Sequence, residues 1–305
     1  MALRNAAYKL IYPRRPIQRL CRRLLSTDTA TKDKEINTEK PGQTHFGFQT
    51  VDEEEKWKKV HEVFETVADK YDLMNDVMSA GVHRLWKDIF MHRLGPTPGT
   101  KLLDMAGGTG DITFRYIKYL QNQRFADSES SSVTVCDINQ AMLDVGKVRA
   151  QRLGYTAESC GVDIKWLCGN AEHLDTIPDD SYTAYTIAFG IRNCTHVDKV
   201  LEEAYRVLSP GGRFLCLEFS HLNNDALQCR LHVSRVYDQY SFQVIPVLGQ
   251  LFAGQWRPYQ YLVESIRQFP NQEKFKTMIE EAGFRQVTYE NLTFGTCAIH
   301  SGFKI

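Results

Sequence analysis

The glycine-rich residues 106–110 have the composition of a ligand-binding loop. They follow a strand-like apolar segment and precede a helix-like one, which places them at the carboxyl end of a predicted strand. Glycine lets the backbone turn tightly and lets a ligand approach without a Cβ atom in between. Gly108, Thr109 and Gly110 are therefore predicted to line a ligand site.

A second strand-like segment ends at Asp137, where an acid suits hydrogen bonds to the two hydroxyls of a ribose. Thr113 occupies the position of the third glycine in a dinucleotide fingerprint, and Asp111 in the first helical turn would repel a pyrophosphate. A nucleoside that lacks phosphates and carries a cationic centre fits better. S-adenosylmethionine is such a ligand, and Asp104 would meet its amino acid end. A purely structural turn is the alternative.

A third strand-like segment is followed by residues 169–172, a loop that can flank an adenine. Asn170 or the backbone amide of Ala171 would contact the base nitrogens. Taken alone, Asn170 is more typical of a turn residue.

Alternating strand-like and helix-like segments must position these residues, and they predict an α/β fold with a mostly parallel sheet covered by helices on both faces. Such sheets bind ligands at the carboxyl ends of their strands. The predicted strands are 101–105, 133–136, 163–167, 182–188, 213–219, 286–289 and 296–300, and the predicted core helices are 111–120, 141–153, 197–208 and 272–282.

Two further helices are predicted before the first of these strands. Apolar residues recur every three or four positions between 51 and 70, which indicates an amphipathic helix. A loop is predicted at 71–81, followed by a helix at 82–94 that ends at Gly95. The polar tract 127–132 is predicted to be a loop insertion.

The composition is that of a folded protein, since 43% of the 305 residues are apolar and 24% are charged. Residues 1–27 hold seven Lys and Arg and no acid, which predicts a mitochondrial transit peptide, with a basic phosphate-binding arm as the alternative. Residues 28–44 are predicted to be a polar linker. Residues 28–305 hold 30 bases against 37 acids, so they lack the positive field that nucleic acid binding requires.

The eight cysteines show no CxxC spacing, and several lie within apolar strand-like runs. This pattern indicates buried thiols in a reducing compartment rather than disulfides or a zinc site, and no metal is expected. The sequence contains no apolar stretch long enough to span a membrane.

Residues 239–256 carry no charge and are interrupted by Pro246, Gly249 and Gly254. We predict a lid or tunnel wall that also approaches the membrane surface. Ordinary core packing or a dimer contact is the alternative.

Four longer motifs make residues 45–305 resemble the ubiquinone/menaquinone C-methyltransferase family, most closely its mitochondrial branch. The motifs are Tyr71-Asp72-Leu73-Met74-Asn75 followed by Ser79, His83 and Trp86; Arg206-Val207-Leu208-Ser209-Pro210-Gly211-Gly212 followed by Leu217-Glu218-Phe219-Ser220; His45-Phe46-Gly47-Phe48-Gln49; and Phe189-Gly190-Ile191-Arg192-Asn193.

The resemblance implies a class I S-adenosylmethionine-dependent methyltransferase fold at 45–305, with a seven-stranded sheet, a helical cap at 45–95 and a substrate lid at 221–270. It implies methyl transfer to a ring carbon of 2-methoxy-6-polyprenyl-1,4-benzoquinol during ubiquinone synthesis. The implied location is the mitochondrial matrix, peripheral to the inner membrane. Other ubiquinone-synthesis proteins are implied as partners in a complex, and a homodimer is a further expectation.

The contacts that the family makes with the methyl donor fall on Thr109, Asp137, Asn170 and Ala171. The chain departs from the family pattern at two positions. Ala188 stands where many relatives carry Ser, so a side-chain contact there is in doubt. Ser209 stands where Lys is common, which is expected to affect only a surface turn.

Arg192 is the predicted catalytic cation, because a hydroquinol is a poor carbon nucleophile until a phenolic oxygen loses its proton. The guanidinium would stabilise that oxygen and orient a water, and Asn193 would hydrogen-bond the same oxygen. Ion pairing of Arg192 with an acid such as Glu218 is the alternative. Tyr71 would cap the pocket and contact the substrate, or would only pack.

His83 and Trp86, three residues apart on one helix, are expected to pack in the core. A structural member of a ubiquinone-synthesis complex, whose cofactor serves only stability, is an alternative to the enzyme. A nicotinamide oxidoreductase is disfavoured by Asp111 and Thr113. A nucleophilic Cys194, as in a cytosine methyltransferase, is disfavoured by the acidic charge of residues 28–305.

Overall fold

The computed structural model describes residues 42–67, 71–123, 130–220, 244–254 and 256–305, with the backbone alone at 65–67, 71–74, 157–158 and 252–253. Several predictions therefore lie outside the described residues. They concern the transit peptide at 1–27, residues 28–41 of the linker, 127–129 of the polar tract and 221–243 of the lid.

Nine strands lie in the described part of the chain. They are β1 (Gln43–Phe46), β2 (Gln49–Asp52), β3 (Lys101–Met105), β4 (Ser131–Asp137), β5 (Val162–Cys168), β6 (Tyr182–Ala188), β7 (Leu208–Phe219), β8 (Arg285–Leu292) and β9 (Cys297–Phe303). The first two form a separate hairpin, and the other seven form one sheet in the order β5-β4-β3-β6-β7-β9-β8. Strands β3 to β7 pair in parallel, whereas β9 runs antiparallel to both of its neighbours. The predicted α/β fold is confirmed.

The helices of the described residues flank this sheet or lie before and after it. They are α1 (Glu53–Val67), α2 (Tyr71–Ser79), α3 (Val82–Leu94), α4 (Asp111–Asn122), α5 (Gln140–Arg152), α6 (Ala157–Cys160), α7 (Val197–Val207), α8 (Ile245–Leu248), α9 (Arg257–Gln268) and α10 (Gln272–Glu281). Within the described residues, every helix is too short or too polar to cross a bilayer.

Two apolar cores cover the two faces of the sheet, because successive strand residues point to opposite sides. Leu102 of β3 packs with Phe90 of α3 and Ile117 of α4 in one core. The next residue, Leu103, packs in the other core with α7 and α10 residues such as Leu201. Burial on both faces explains why these strands read as continuous apolar runs.

Residues 71–79 form helix α2, so the prediction of a loop at 71–81 is wrong. The helix ends at Ser79, whose hydroxyl donates to Asn75 O at 2.6 Å, and left-handed backbone angles follow at Ala80 and Gly81. Helix α2 packs against α3 and against α8, which lies far along the chain. This distant partner is not visible in a local pattern.

The predicted helical cap at 45–95 begins with the β1–β2 hairpin. The ring of Phe46 stacks on that of Tyr261 in α9 at 4.2 Å between centroids. Glu264 of α9 accepts a hydrogen bond from Phe48 N at 3.1 Å. A Cβ atom on Gly47, whose φ is +59°, would lie 2.1 Å from the Glu264 carboxylate, so only glycine permits this approach. The hairpin thus joins the beginning of the domain to its last third.

Candidate active site

A polar cavity, called here the strand-end cavity, lies at the carboxyl ends of β3, β4, β5 and β6. It measures about 460 Å³, which is within the range of small-molecule sites. Helix α1 covers it from outside, held by a hydrogen bond of 3.4 Å from Asn139 Nδ2 to His61 O. The predicted donor residues that line it are Gly108, Thr109, Asp137, Asn170 and Ala171.

The loop after β3 turns through left-handed backbone angles at Ala106, Gly108 and Gly110. Gly108 lines the strand-end cavity and leaves its backbone open to a ligand. Gly110 does not belong to the lining. A Cβ atom there would lie 2.8 Å from Phe114 Cζ, so this glycine serves the packing of the loop against α4.

Asp137 ties the loop to the end of β4. Its Oδ2 accepts from Gly108 N and its Oδ1 from Asn139 N, both at 2.9 Å. Each carboxylate oxygen can accept a further hydrogen bond, so both remain available to a diol. Burial raises the pKa of this carboxyl, and the two backbone amides oppose that rise.

Thr109 and Asn170 are both held in place by neighbours at the cavity wall. Thr109 Oγ1 accepts a hydrogen bond of 2.7 Å from Arg149 Nη1. Asn170 Oδ1 accepts from Glu172 N at 3.0 Å, which is a turn interaction. Its amide nitrogen has no acceptor among the described residues and can donate to a ligand. Asn170 is therefore a turn residue and a lining residue at once.

Asp104 differs from its expected role. It is 1% exposed and does not line the cavity, because Thr113 Oγ1 and Thr186 Oγ1 donate to its two carboxylate oxygens at 2.7 and 3.1 Å. Burial raises its pKa to about 6. Asp104 lies beneath the glycine loop, and because it is buried away from the cavity, direct contact with a methyl donor falls to other residues.

The charge of the strand-end cavity fits the predicted cofactor, S-adenosylmethionine. Among the described residues that line it, one lysine, Lys87, stands against five acids, which are Glu53, Glu54, Asp111, Asp137 and Glu172. A wall with this excess of acids favours a cation and disfavours a pyrophosphate. A nucleoside also needs room beside the backbone, which the open glycine loop provides, and an acceptor for its ribose hydroxyls, which the Asp137 carboxylate provides.

A second, apolar cavity adjoins the first, and the two share Phe64, Lys87 and Phe189 as lining residues. It measures about 140 Å³, close to the size of an engineered cavity that holds a benzene ring. Side chains of α1, α2, α3, α8 and α9 form its walls together with Phe189, Arg192 and Phe219.

Arg192 lines the apolar cavity, as its predicted catalytic role requires. It also forms the ion pair with Glu218 that was the alternative to that role. Its Nη1 lies 2.8 Å from Glu218 Oε1, with side chains that are 5% and 2% exposed. Nη1 also donates to Phe189 O at 2.5 Å, and Nε donates to Ser265 Oγ at 3.3 Å. Among the described residues none accepts from Nη2, so this nitrogen remains available to a ligand.

Asn193 lies at the boundary between the two cavities. It lines the strand-end cavity, and its Oδ1 accepts a hydrogen bond of 3.1 Å from the Tyr261 hydroxyl, which lines the apolar cavity. Sequence reasoning missed Tyr261, because its segment shows only ordinary helical amphipathicity. Tyr71 begins α2, but its side chain lies outside the described residues, so its role is still a prediction.

His83 and Trp86 are buried as expected, at 6% and 4% exposure. Trp86 Nε1 donates to Thr293 Oγ1 at 2.8 Å, and His83 Nε2 lies 2.8 Å from Asp76 Oδ1. Both side chains also border the apolar cavity. Burial lowers the pKa of His83, so its imidazole is neutral at neutral pH and adds no charge there.

Comparisons with known proteins agree with this geometry. The chain is 62% identical over 297 residues to the mitochondrial 2-methoxy-6-polyprenyl-1,4-benzoquinol methylase of Drosophila melanogaster, covering 94% of this chain and 96% of the relative. The human protein of the same name is 53% identical over 308 residues, covering 92% and 89%.

Solved structures with the same fold are more distant in sequence. The [4+2]-cyclase SpnF aligns with a TM-score of 0.52 at 15% identity, over 80% of this chain and 94% of that one. A SAM-dependent methyltransferase of Thermotoga maritima, described as a possible histamine N-methyltransferase, aligns with a TM-score of 0.50 at 15% identity, over 80% and 99%.

The model of the ubiE/COQ5 methyltransferase family matches residues 49–304, which is most of the domain that contains both cavities. This match extends over β2 of the hairpin, the sheet and the helices that build the site, and it agrees with the identity to the named methylases. The chain belongs to the ubiE/COQ5 methyltransferase family.

Proposed function

We propose that this chain transfers the methyl group of S-adenosylmethionine to a ring carbon of 2-methoxy-6-polyprenyl-1,4-benzoquinol, a step in ubiquinone synthesis. The observation that carries the proposal is the junction of the two cavities. A polar, acid-rich site for a nucleoside cation meets an apolar site of ring size at Phe64, Lys87 and Phe189. The curated relatives bear the name of this activity.

On the donor side, Asp137 would accept hydrogen bonds from the ribose hydroxyls, while Asn170 and Ala171 would flank the adenine. Gly108 and Thr109 would lie along the remainder of the ligand. When bound, S-adenosylmethionine supplies an electrophilic methyl group. The chain aligns that group with the ring and excludes water, which together lower the barrier to transfer.

On the acceptor side, the residues must raise the electron density of the ring. A phenol ionises with a pKa of about 10, so bringing it to half ionisation at neutral pH is worth about 4 kcal/mol. Glu218 lies 2.8 Å from Nη1 of Arg192 and offsets its positive charge. Arg192 would therefore act through the directed hydrogen bond of Nη2 to the phenolic oxygen, rather than through net charge. The amide of Asn193 would donate to the same oxygen.

The prenyl tail requires apolar walls, and the apolar cavity offers Met78, Ile245, Val263 and Ile266. Four large apolar side chains nearby in sequence are 38–73% exposed: Val244, Val247, Leu251 and Trp256. An exposed apolar set of this kind is typical of a surface that meets a membrane or a partner. We propose that the predicted lid guides the tail from the membrane surface to the ring site.

The proposal places the enzyme in the mitochondrial matrix, peripheral to the inner membrane, after import directed by residues 1–27. The relatives named above are mitochondrial proteins. Assembly with other ubiquinone-synthesis proteins, and pairing of two copies of the chain, belong to the same proposal.

The test incubates the purified chain with a short-tailed quinol substrate and with S-adenosylmethionine that carries a deuterated methyl group. Mass spectrometry should find the label on a ring carbon of the quinol, and the oxidised quinone should remain unlabelled because its ring is not nucleophilic. Binding of the donor without any transfer to the quinol would instead support the structural role.

A further inference from the structure

Lys87 of α3 occupies an unusual position for a lysine. Its side chain is 6% exposed, and it borders both the strand-end cavity and the apolar cavity. Among the described residues that line the strand-end cavity, it is the one lysine or arginine. Burying an ammonium group is costly unless it has anionic partners, so this placement calls for a partner of opposite charge.

One such partner is Asp111, in the first turn of α4. Lys87 Nζ lies 2.6 Å from Asp111 Oδ2, while the other oxygen of this carboxylate bonds to Arg115. Burial alone would raise the pKa of Asp111, but Lys87 and Arg115 hold it well below its usual range. The carboxylate therefore stays ionised and is shared between Lys87 and Arg115, and Arg115 pairs in addition with Asp88 at 2.9 Å.

The pair presents one positive and one negative group side by side at the wall of the strand-end cavity. An α-amino acid end carries the complementary pair, a carboxylate and an ammonium group. Asp104, the acid expected to meet that end, is 1% exposed and does not line the cavity, whereas Asp111 does. A lysine facing the cationic sulfur of a donor would also be repelled unless a ligand anion lay between them.

We infer that Lys87 binds the carboxylate, and Asp111 the ammonium group, of the amino acid end of the methyl donor. The inference rests on the proposed function, since it takes the donor to be S-adenosylmethionine. Lys87 is then a binding residue that orients the donor at the junction of the cavities. Its position beside the apolar cavity allows a rival role, which is to contact the phenolic oxygen of the quinol.

The test measures binding rather than turnover, by calorimetry with two ligands. S-adenosylhomocysteine carries the amino acid end, and methylthioadenosine lacks it. In the variant Lys87→Met, the affinity for S-adenosylhomocysteine should fall by roughly tenfold to a hundredfold, the value of one hydrogen bond between charged groups. The affinity for methylthioadenosine should change by less than about twofold.

Two further variants complete the design. Asp111→Asn should lose affinity for S-adenosylhomocysteine and keep that for methylthioadenosine, which tests the pair if Lys87→Met does not fold. Lys147→Met removes a lysine that is 42% exposed and pairs with Asp144, and it should alter neither affinity.

Two results would overturn the inference. The first is an equal loss of affinity for both ligands in Lys87→Met and in Asp111→Asn. The second is unchanged affinity for S-adenosylhomocysteine in both variants, which would assign Lys87 to the quinol. A different result would contradict the proposed function itself. If the native chain bound neither ligand, the donor itself would be wrong, whatever the variants showed.

Discussion

The two cavities that meet at Phe189 are built in opposite ways. The floor of the strand-end cavity consists of strand ends and the loops that follow them, which backbone amides and Asp137 hold together, while α1 and Lys87 of α3 complete its wall. The apolar cavity is assembled from helices that lie as far apart in the chain as α1 and α9. The parallel sheet therefore positions most of the predicted donor contacts, whereas the acceptor site depends on how separate helices pack over the sheet.

The difference extends to the interactions that stabilise each site. Glycine turns and main-chain hydrogen bonds within one sheet edge leave the strand-end cavity little freedom. Side-chain contacts hold the wall residues of the apolar cavity in place, among them the stacking of Phe46 on Tyr261 and the ion pair of Glu218 with Arg192. We expect substitutions on one side to leave the other side intact, and the variants below test this separation.

The ion pair of Arg192 and Glu218 should give the largest effect. Replacing Arg192 with Met leaves a buried, unpaired carboxylate, which should lower the free energy of unfolding by about 3–5 kcal/mol. Burial raises the pKa of Glu218, so the loss should be larger at high pH, where the group is ionised. Turnover should fall by roughly a hundredfold to a thousandfold, as for other lost oxyanion donors.

The double variant Arg192→Met with Glu218→Met separates folding from chemistry. It should recover stability, because two apolar side chains replace the pair, and it should remain inactive. Denaturant unfolding and turnover assays measure the two effects, and the affinity for S-adenosylhomocysteine should match that of the native chain. If the double variant recovered turnover, Arg192 would have only a structural role.

Asp137→Asn should act on the donor side alone. The variant loses a carboxylate that accepts two backbone hydrogen bonds, and its amide would face N–H groups. The affinity for S-adenosylhomocysteine should fall by roughly a hundredfold to a thousandfold, measured by calorimetry. Asp144→Asn, at an exposed position on α5, is the matched control and should change nothing. A loss below about threefold for Asp137→Asn would contradict the predicted ribose contact.

The donor contacts at the strand ends could be predicted from the sequence because each of them is local. The glycine run, Asp137 and Asn170 each follow a strand-like segment, and parallel strands bring such ends to one edge of the sheet. Five of the predicted donor residues line the strand-end cavity. Asp104 and Gly110 do not, because their neighbours in three dimensions, Thr186 and Trp166 among them, come from other strands.

The acceptor site could be predicted only in part, because its contacts join segments that are distant in the chain. Arg192 was visible as a cation at a strand end, but its hydrogen bond to Ser265 of α9 was not. Tyr261 carries no local signal, since it lies on an ordinary amphipathic helix, and the same holds for Lys87, which borders both cavities. Helix α2 was predicted as a loop for the same reason, because its packing partner α8 is remote in sequence.

Asp104→Asn should show by how much the buried carboxylate beneath the glycine loop lowers the free energy of unfolding. Its folded pKa of about 6 lies above the unfolded value of 3.8, so the folded state loses stability as the pH rises through this interval. The loss is complete above about pH 6 and amounts to about 3 kcal/mol at 1.36 kcal/mol per unit. The variant should therefore be more stable than the native chain at about pH 8 by up to this amount, and lose the advantage near pH 4.

Urea unfolding of both proteins at the two pH values measures this effect. The Asn side chain can still bond to Thr113 and Thr186, so the comparison isolates the charge. A constant difference between the two proteins at all pH values would show that Asp104 does not titrate in this range.

Tyr261→Phe is expected to give the smallest effect, and it tests the boundary between the two sites. The variant removes the hydroxyl that donates to Asn193 Oδ1 at 3.1 Å, while the ring keeps its stacking on Phe46. Asn193 is then free to turn its amide away from the quinol oxygen. One neutral hydrogen bond is worth about 1 kcal/mol, so kcat/KM for the quinol should fall by several-fold up to about tenfold.

The affinity for S-adenosylhomocysteine decides how this loss is interpreted. It should be unchanged in Tyr261→Phe, because the hydroxyl belongs to the apolar cavity although its acceptor, Asn193, lines the strand-end cavity. Tyr289→Phe, which removes a surface hydroxyl bonded to Glu273, is the control and should alter neither quantity. If Tyr261→Phe weakened donor binding as much as turnover, the two cavities would be coupled through Asn193, and helix α9 would help to define the donor site as well.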